Sequence, residues 1–345
     1  MREALAQLLT DGPLSAADAE RVFETILRGR AEPAQIAALL ALLQRRGATV
    51  EEVVGAARVM RRHVTPVPTE GLPAGTRLID TCGTGGAAKT FNISTVAAII
   101  AAAAGREKHV AVAKHGNRSR SGRGSAEVLA RLGVNIDAEP GAQARCLAEV
   151  GVCFSFAVRH HPAMQHAAPV RAALGFPTLF NLLGPLTNPA GATRQLLGVY
   201  DESLVEPTAQ ALLRLGAEHA MVVHARDGLD ELSTTGETVI ADVSRGAVTA
   251  RVFDARSVGL ARARLDDLRA PDLDAAAGLV RAILDNDQRT EITPAREIAL
   301  LNAAGALVVA DAAADLAEGV ALARAALETG AGAGTLDDLA RVSNE

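Results

Sequence analysis

TRLIDTCGTGGAAKTFNISTVAAIIAAAAG, residues 76–105, is the stretch on which the reading of the fold turns. TRLID has the apolar character of a short strand, and VAAIIAAAAG at 96–105 is a run of small apolar residues that reads as a buried helix. Between them lie Gly83, Thr84, Gly85 and Gly86, then TFNIST. Strand, glycine loop and helix together turn backbone N–H groups toward an anion, because glycine allows close backbone approach and a helix N-terminus carries partial positive charge. A glycine turn alone also closes ordinary strand–helix units. Here Asn92, Ser94 and Thr95 add side-chain donors and acceptors beside the free N–H groups of the helix start, which points to phosphate. The spacing fits neither G-x-G-x-x-G nor G-x-x-x-x-G-K-[ST], so the loop is of another design.

Downstream of residue 76, strand-like segments alternate with helical ones. RLID, HVAVA, VCFSFA, QLLGVY and HAMVVHA are separated by patterns such as GSAEVLARLG and SLVEPTAQALLRLG. That alternation predicts an α/β domain with a mostly parallel sheet flanked by helices. ETVIADVS and AVTARVFD read as hairpin strands, and 294–328 returns to long Ala/Leu helices. Upstream, residues 3–64 show only helical periodicity, with Ser15/Asp18 and Thr49/Glu52 spaced for capping and Pro33 suited to a first turn. The expected organisation is therefore a small all-helical domain over 1–64, joined by helices from about 159–190, a Pro/Gly-rich linker at 65–75, and the α/β domain over 76–345.

The chain has 345 residues, 49% hydrophobic and 22% charged, enough to bury a large core. A formal net charge of -5 gives no bulk attraction to nucleic acid or anionic membrane, so any anion site is local. Aromatic residues are 2% with no Trp, which leaves no stacking platform for single-stranded nucleic acid. Cys82, Cys146 and Cys153 are odd in number and scattered, favouring free thiols in a reducing compartment. The start, MREALAQLLTDG, lacks the pattern of a signal peptide, and runs such as 96–104 are too short to span a bilayer, so cytoplasm is the simplest expectation.

Three further segments carry chemistry. KHGNRSRSGRGS, 114–125, gathers Lys114, His115, Arg118, Arg120 and Arg123 after a predicted strand, where open α/β sheets bind ligands. Either it is a solvated basic loop or, set with Gly, Asn and Ser in an acidic chain, a clamp for a polyanion. DGLDELSTTG, 227–236, places Asp230 beside Glu231 on a turn, a pair suited to Mg²⁺ completed by water and phosphate oxygens, although acidic turns are also simply solvated. RHHPAMQHAAPVRAALG, 159–175, offers His160, His161 and His166 without the residues that would complete a metal site, and Arg171, which could grip a carboxylate in bidentate fashion or sit on the surface.

In this order, GTGG with TFNIST, KHGNR, FNLLGPLTNP and DGLDELSTTG resemble the anthranilate phosphoribosyltransferase family of tryptophan biosynthesis, and the likeness extends through the N-terminal helices and LLNAAGAL at 300–307. The resemblance implies a helical domain, an α/β domain related to the pyrimidine nucleoside phosphorylases, and a homodimer; the acidic composition adds the expectation of no nucleic-acid or membrane partner. It implies transfer of a phosphoribosyl group from phosphoribosyl pyrophosphate to anthranilate, with no side-chain nucleophile or general base. Residue by residue it assigns the donor to Gly83, Gly86, Thr90, Asn92, Ser94, Thr95, Lys114, Asn117, Arg118, Ser119, Arg120, Ser121 and Ser125. Anthranilate falls to Gly83, His115, Asn117 and Arg171, and Mg²⁺ to Ser94, Asp230 and Glu231. Two departures stand out: Ala87 occupies the place where the family usually has Asp, with the connection to TFNIST one residue shorter, and RSRSGRGSAE is also one residue short. Arg120 and Arg123 are candidates to compensate with added charge. The rival readings are a paralogue with another aromatic or heterocyclic acceptor, a related nucleoside phosphorylase, and a non-catalytic nucleic-acid-binding relative, which would need a basic surface and no acidic pair.

Overall fold

The computed structural model describes residues 1–85, 90–119 and 122–345. Four helices come first: α1 (Arg2–Leu9), α2 (Ala16–Leu27), α3 (Pro33–Arg46) and α4 (Val50–Arg62). Their starts follow from local chemistry. The Ser15 hydroxyl accepts from Asp18 N, Pro33 opens α3, and Thr49 and Glu52 form a reciprocal capping box. Such a cap is worth about 1 kcal/mol. Glu52 has 0% exposure yet is satisfied, because its carboxylate also accepts from Leu14 N at 2.8 Å and pairs with Arg46.

Then β1 (Arg77–Gly83), α5 (Ile93–Gly105), β2 (Val110–Gly116), α6 (Ser125–Arg131), α7 (Pro140–Arg145) and β3 (Val152–Phe156) build one flank. Three short helices, α8 (Ala157–His160), α9 (Ala168–Leu174) and α10 (Leu179–Leu183), lead to β4 (Arg194–Gly198), α11 (Val205–Arg214) and β5 (His219–Ala225). A hairpin of β6 (Thr238–Ser244) and β7 (Ala247–Phe253) follows, then α12 (Leu273–Leu284), α13 (Thr293–Val309), α14 (Leu316–Glu328) and α15 (Ala331–Ser343). The strands form one seven-stranded sheet in the order β3-β2-β1-β4-β5-β6-β7, parallel from β3 to β5 and antiparallel through the hairpin. This is the sheet the alternating pattern predicts.

Alternation along each strand divides the core into two. Leu196, Met221 and Val223 point into a cluster with α5 and α12–α15, while Leu197, Ala220 and Val222 point into one with α11. The second cluster also takes in α1–α4 together with Ala167, Val170, Leu179, Phe180 and Leu183, so α9 and α10 pack with the N-terminal helices. The α5 run is buried all round because it lies between the sheet and α13. Among the described residues one stretch, Thr290–Val309, is long and apolar enough to cross a membrane by length and composition, and 83% of its apolar window is buried inside the protein.

At the N-terminal edge of the sheet, His219 lies between two carboxylates, with Nδ1 3.0 Å from Asp311 and Nε2 3.7 Å from Asp242. Burial opposes charge on the imidazole, but the two carboxylates outweigh it and raise its pKa, and both acids are held below their usual range. A raised folded-state pKa means stabilisation that is complete below the unfolded pKa of about 6.5 and lost as pH rises through the folded value. His219→Gln therefore lowers the melting temperature more at pH 6 than at pH 9. A pH-independent difference between the two proteins would contradict the ion-pair account.

Candidate functional site at the sheet's switch point

Connections from β1 run outward to β2 and β3, and those from β4 run the other way to β5, so the crevice of the parallel sheet opens between β1 and β4. Both strands end there in glycine, and Gly83 pairs directly with Gly198. The reason is the acidic turn after β5, which crosses over both strand ends. A Cβ on Gly83 would lie 2.6 Å from Asp230 Oδ2, and one on Gly198 only 1.7 Å from the Asp230 carbonyl oxygen. Thr84 N donates to Gly198 O at 2.9 Å and the Thr84 hydroxyl accepts from Tyr200 N at 3.1 Å, fastening the start of the glycine loop to β4.

Asp230 and Glu231 sit in this crevice as a half-buried like-charge pair. Burial raises the pKa of both, and the Asp230 charge raises Glu231 further. Backbone N–H groups of Gly85 and Ser94 face the two carboxylates. The Lys114 ammonium, 3% exposed as a residue, donates to Thr81 O at 2.6 Å and Ser94 Oγ at 3.2 Å, and its pKa is lowered by burial. No group of three or more His, Cys, Asp or Glu able to hold a metal occurs among the described residues. Two desolvated carboxylates beside the Ser94 hydroxyl are nevertheless the donor set Mg²⁺ uses when phosphate oxygens and water complete its shell. The residues fit the ion.

The basic loop after β2 adjoins the same place. Asn92, at the N-cap position of α5, makes no side-chain cap and donates from Nδ2 to Arg123 O at 3.1 Å, tying the two loops together. Ser119 Oγ accepts from Arg123 N at 3.0 Å, and Glu127 accepts from Gly124 N at 2.8 Å at the start of α6, where Ser125 Oγ donates to Asn117 O at 3.4 Å. Arg118 lies over the Phe156 ring at 5.5 Å. The Arg123 guanidinium donates to Ala270 O, which anchors the side chain and leaves its positive charge in place. Thr90 Oγ1 donates to Phe91 O at 2.9 Å. Thr95 is 1% exposed and turned among core residues such as Ala98 and Leu129. Gly86, Ala87, Arg120 and Ser121 lie outside the described residues.

Two family models match this chain: the helical bundle domain of a glycosyl transferase family over residues 2–64 and its a/b domain over 75–333. The anthranilate phosphoribosyltransferase of Rubrobacter xylanophilus is 48% identical over 99% of this chain and 97% of its own length. That of Rhodospirillum rubrum is 50% identical over 96% and 92%. The crystal structure of the Thermus thermophilus enzyme superposes with a TM-score of 0.90 at 38% identity, covering 99% of both chains. This chain belongs to the anthranilate phosphoribosyltransferase family. The enzyme from Saccharomyces cerevisiae, solved in complex with PRPP and Mg, shares the fold with a TM-score of 0.86 at 24% identity over 99% of this chain and 96% of its own.

Membership in the anthranilate phosphoribosyltransferase family directs attention to the acceptor side. Arg171, on α9, lies over the Phe180 ring at 5.4 Å, and the neighbouring Asn181 reaches Thr84 O at 3.5 Å, so α10 carries α9 to the glycine loop. Asn117 is exposed at the start of the basic loop. His115 is buried, with its ring nitrogen 3.3 Å from that of His161, and its pKa is pulled well below the ordinary value by burial and by the neighbouring imidazoles. His160 Nδ1 meets Thr65 O at 2.7 Å and His166 packs on Gly29, which places the histidines in separate structural contacts.

Three positioning residues were not singled out from the sequence: Asp80, Asn188 and Gly198. Asp80, with 0% exposure, accepts from His115 N at 3.0 Å and from Asn188 Nδ2 at 2.8 Å, and Asn188 also donates to Ala113 O. One acid inside an apolar strand and one glycine closing QLLG were the available signals.

Proposed function

We propose that this chain transfers the 5-phosphoribosyl group from phosphoribosyl pyrophosphate to the amine of anthranilate, giving N-(5-phosphoribosyl)anthranilate and pyrophosphate. The observation that carries the reading is the half-buried Asp230–Glu231 pair packed against Gly83 and Gly198 at the switch point, in a chain aligned over 99% of its length with a relative in this family. The amine nitrogen forms a bond to ribose C1, the C1–oxygen bond breaks with its electron pair leaving on pyrophosphate, and the amine proton passes to solvent. An aromatic amine is neutral at pH 7, so attack needs no strong base. The depressed pKa of His115 leaves it neutral as well, a wall of the acceptor site and not a proton carrier.

Catalysis then comes from positioning and from charge stabilisation on the leaving group. Gly83 and Gly86 would admit the phosphates to the backbone, with Thr90, Asn92, Ser94 and the 114–125 loop around the donor, while Thr95, turned into the core, would only support the helix start. Lys114 supports this through Ser94. Ser94, Asp230 and Glu231 would hold Mg²⁺, which supplies positive charge to the departing pyrophosphate. Asn117 and Arg171 would orient anthranilate, Arg171 by its carboxylate. Arg171→Ala raises the KM for anthranilate by about tenfold or more with the donor KM unchanged. A change confined to the donor KM would overturn that assignment.

The deciding experiment follows the loss of anthranilate fluorescence with purified protein, phosphoribosyl pyrophosphate and Mg²⁺, with and without chelator. Metal-dependent turnover is expected. Donor binding by calorimetry without turnover would move the reading to another acceptor. The same reading includes a homodimer in the cytoplasm; light scattering at twice 35.6 kDa tests the first part.

A further inference from the structure

A cavity of about 360 Å³ lies at the opposite end of β4 from the glycine loop. Its walls are the end of α4, the segment 64–70, the loop 188–193 and the C-terminal end of α11. Gln195 lines it and Gly198 ends the same strand, so about 10 Å of strand separates the cavity from the crevice above. That volume is within the range of small-molecule sites.

The cavity's lining carries one cation, Arg61, and one carboxylate, Glu70, both at its solvent-exposed mouth. Arg61 donates from Nε to Leu186 O and from Nη1 to Leu215 O, both at 2.9 Å, and no carboxylate pairs with it among the described residues. Solvent reaches its side chain at the mouth, yet the surrounding protein desolvates the guanidinium enough to lower its pKa. A cation left with carbonyl partners alone has unspent capacity for an anion. The one acidic side chain in the lining is Glu70, which accepts from its neighbour Thr69 N at 3.0 Å. Val64, Val67 and Leu212 give the cavity an apolar wall.

We propose that this cavity binds a free α-amino acid with an apolar side chain, its carboxylate on Arg61, its ammonium toward Glu70 and its side chain against Val67 and Leu212. An occupant touches the hydrogen-bonded layer beneath the crevice. Asn188 and Gln195 line the cavity, and Asn188 donates to Asp80 while Gln195 Nε2 reaches Cys82 Sγ at 3.1 Å. Both partners precede Gly83 on β1. The inference does not depend on the donor and acceptor assignments, because binding is read directly.

Calorimetry on the full chain with L-phenylalanine and, separately, L-leucine is the test, alongside 3-phenylpropionate, which lacks the ammonium, and 2-phenylethylamine, which lacks the carboxylate. One amino acid binds per chain, and each truncated analogue binds at least about tenfold more weakly. Arg61→Gln and the cavity-filling Ala192→Leu each weaken binding by about tenfold or more, and Arg171→Ala leaves it unchanged. Ala192→Leu serves where loss of the Arg61 bonds unfolds the chain. No heat from either amino acid up to about 10 mM overturns the proposal. So does binding that survives Ala192→Leu but is lost in Arg171→Ala, which would place the probe in the acceptor site. Equal affinity for the truncated analogues would overturn the charge assignment.

Discussion

Asp230→Asn lowers turnover by about 10²–10³-fold and, in metal-free buffer, raises the melting temperature. The two effects have one cause. Asp230 and Glu231 are half-buried beside each other, and desolvation disfavours the charge on both, so the free protein holds a repulsive pair with Lys114 as the nearby cation. Asn has the same shape, so the turn still crosses Gly83 and Gly198, but the repulsion and the desolvation of one charge are gone. What is lost is attraction for a divalent cation and, through it, stabilisation of pyrophosphate. Turnover across a Mg²⁺ titration and thermal melts with chelator check both halves. Near-normal activity at limiting Mg²⁺ would remove the metal assignment, and a lowered melting temperature would show that the pair is not a net cost to the fold.

Gly198→Ala is the second large effect, and it acts on backbone. Its new methyl group would sit 1.7 Å from the Asp230 carbonyl oxygen and 2.5 Å from the Asp230 carbonyl carbon. The strand cannot retreat freely, because Gly198 O accepts from Thr84 N and the strand is paired on both sides, to Gly83 and to Val223. Overpacking of this kind costs about 1–3 kcal/mol, and here the displaced group carries the acidic pair. The variant therefore melts lower and needs more Mg²⁺ for half-maximal turnover. Gly83→Ala makes a useful contrast. Its methyl group would clash with the end of the Asp230 side chain, at 2.6 Å, and lie in ordinary contact with Gly198 O at 3.4 Å, so the carboxylate must turn while the backbone stays. Metal dependence should shift there with a smaller loss of stability. A Gly198→Ala protein with wild-type melting and wild-type Mg²⁺ dependence would mean that the turn has room the geometry denies it.

The amino-acid sequence by itself determined the elements and the local chemistry. Strand–helix alternation, the Thr49–Glu52 capping box, the glycine loop before α5 and the adjacent carboxylates at 230 and 231 are all patterns within a few residues, where spacing alone sets what can touch. Even locally the reading had limits. The pattern at the helix start does not show that the Asn92 side chain bridges to Arg123, nor does the basic loop show that Arg123 is anchored on Ala270. In each case the partner lies far along the chain. The tertiary structure alone decided which strand ends meet. A parallel crossover can place the next strand on either side of the last, so the order β3-β2-β1-β4-β5, and with it the crevice between β1 and β4, is not written in any one segment. Once that order is set, Gly198 must be bare because Asp230 passes over it, and Asp80 can be buried because His115 and Asn188 arrive to bond it. Sequence supplies groups at fixed spacing along the chain; only packing supplies the neighbours that decide their burial, charge and room.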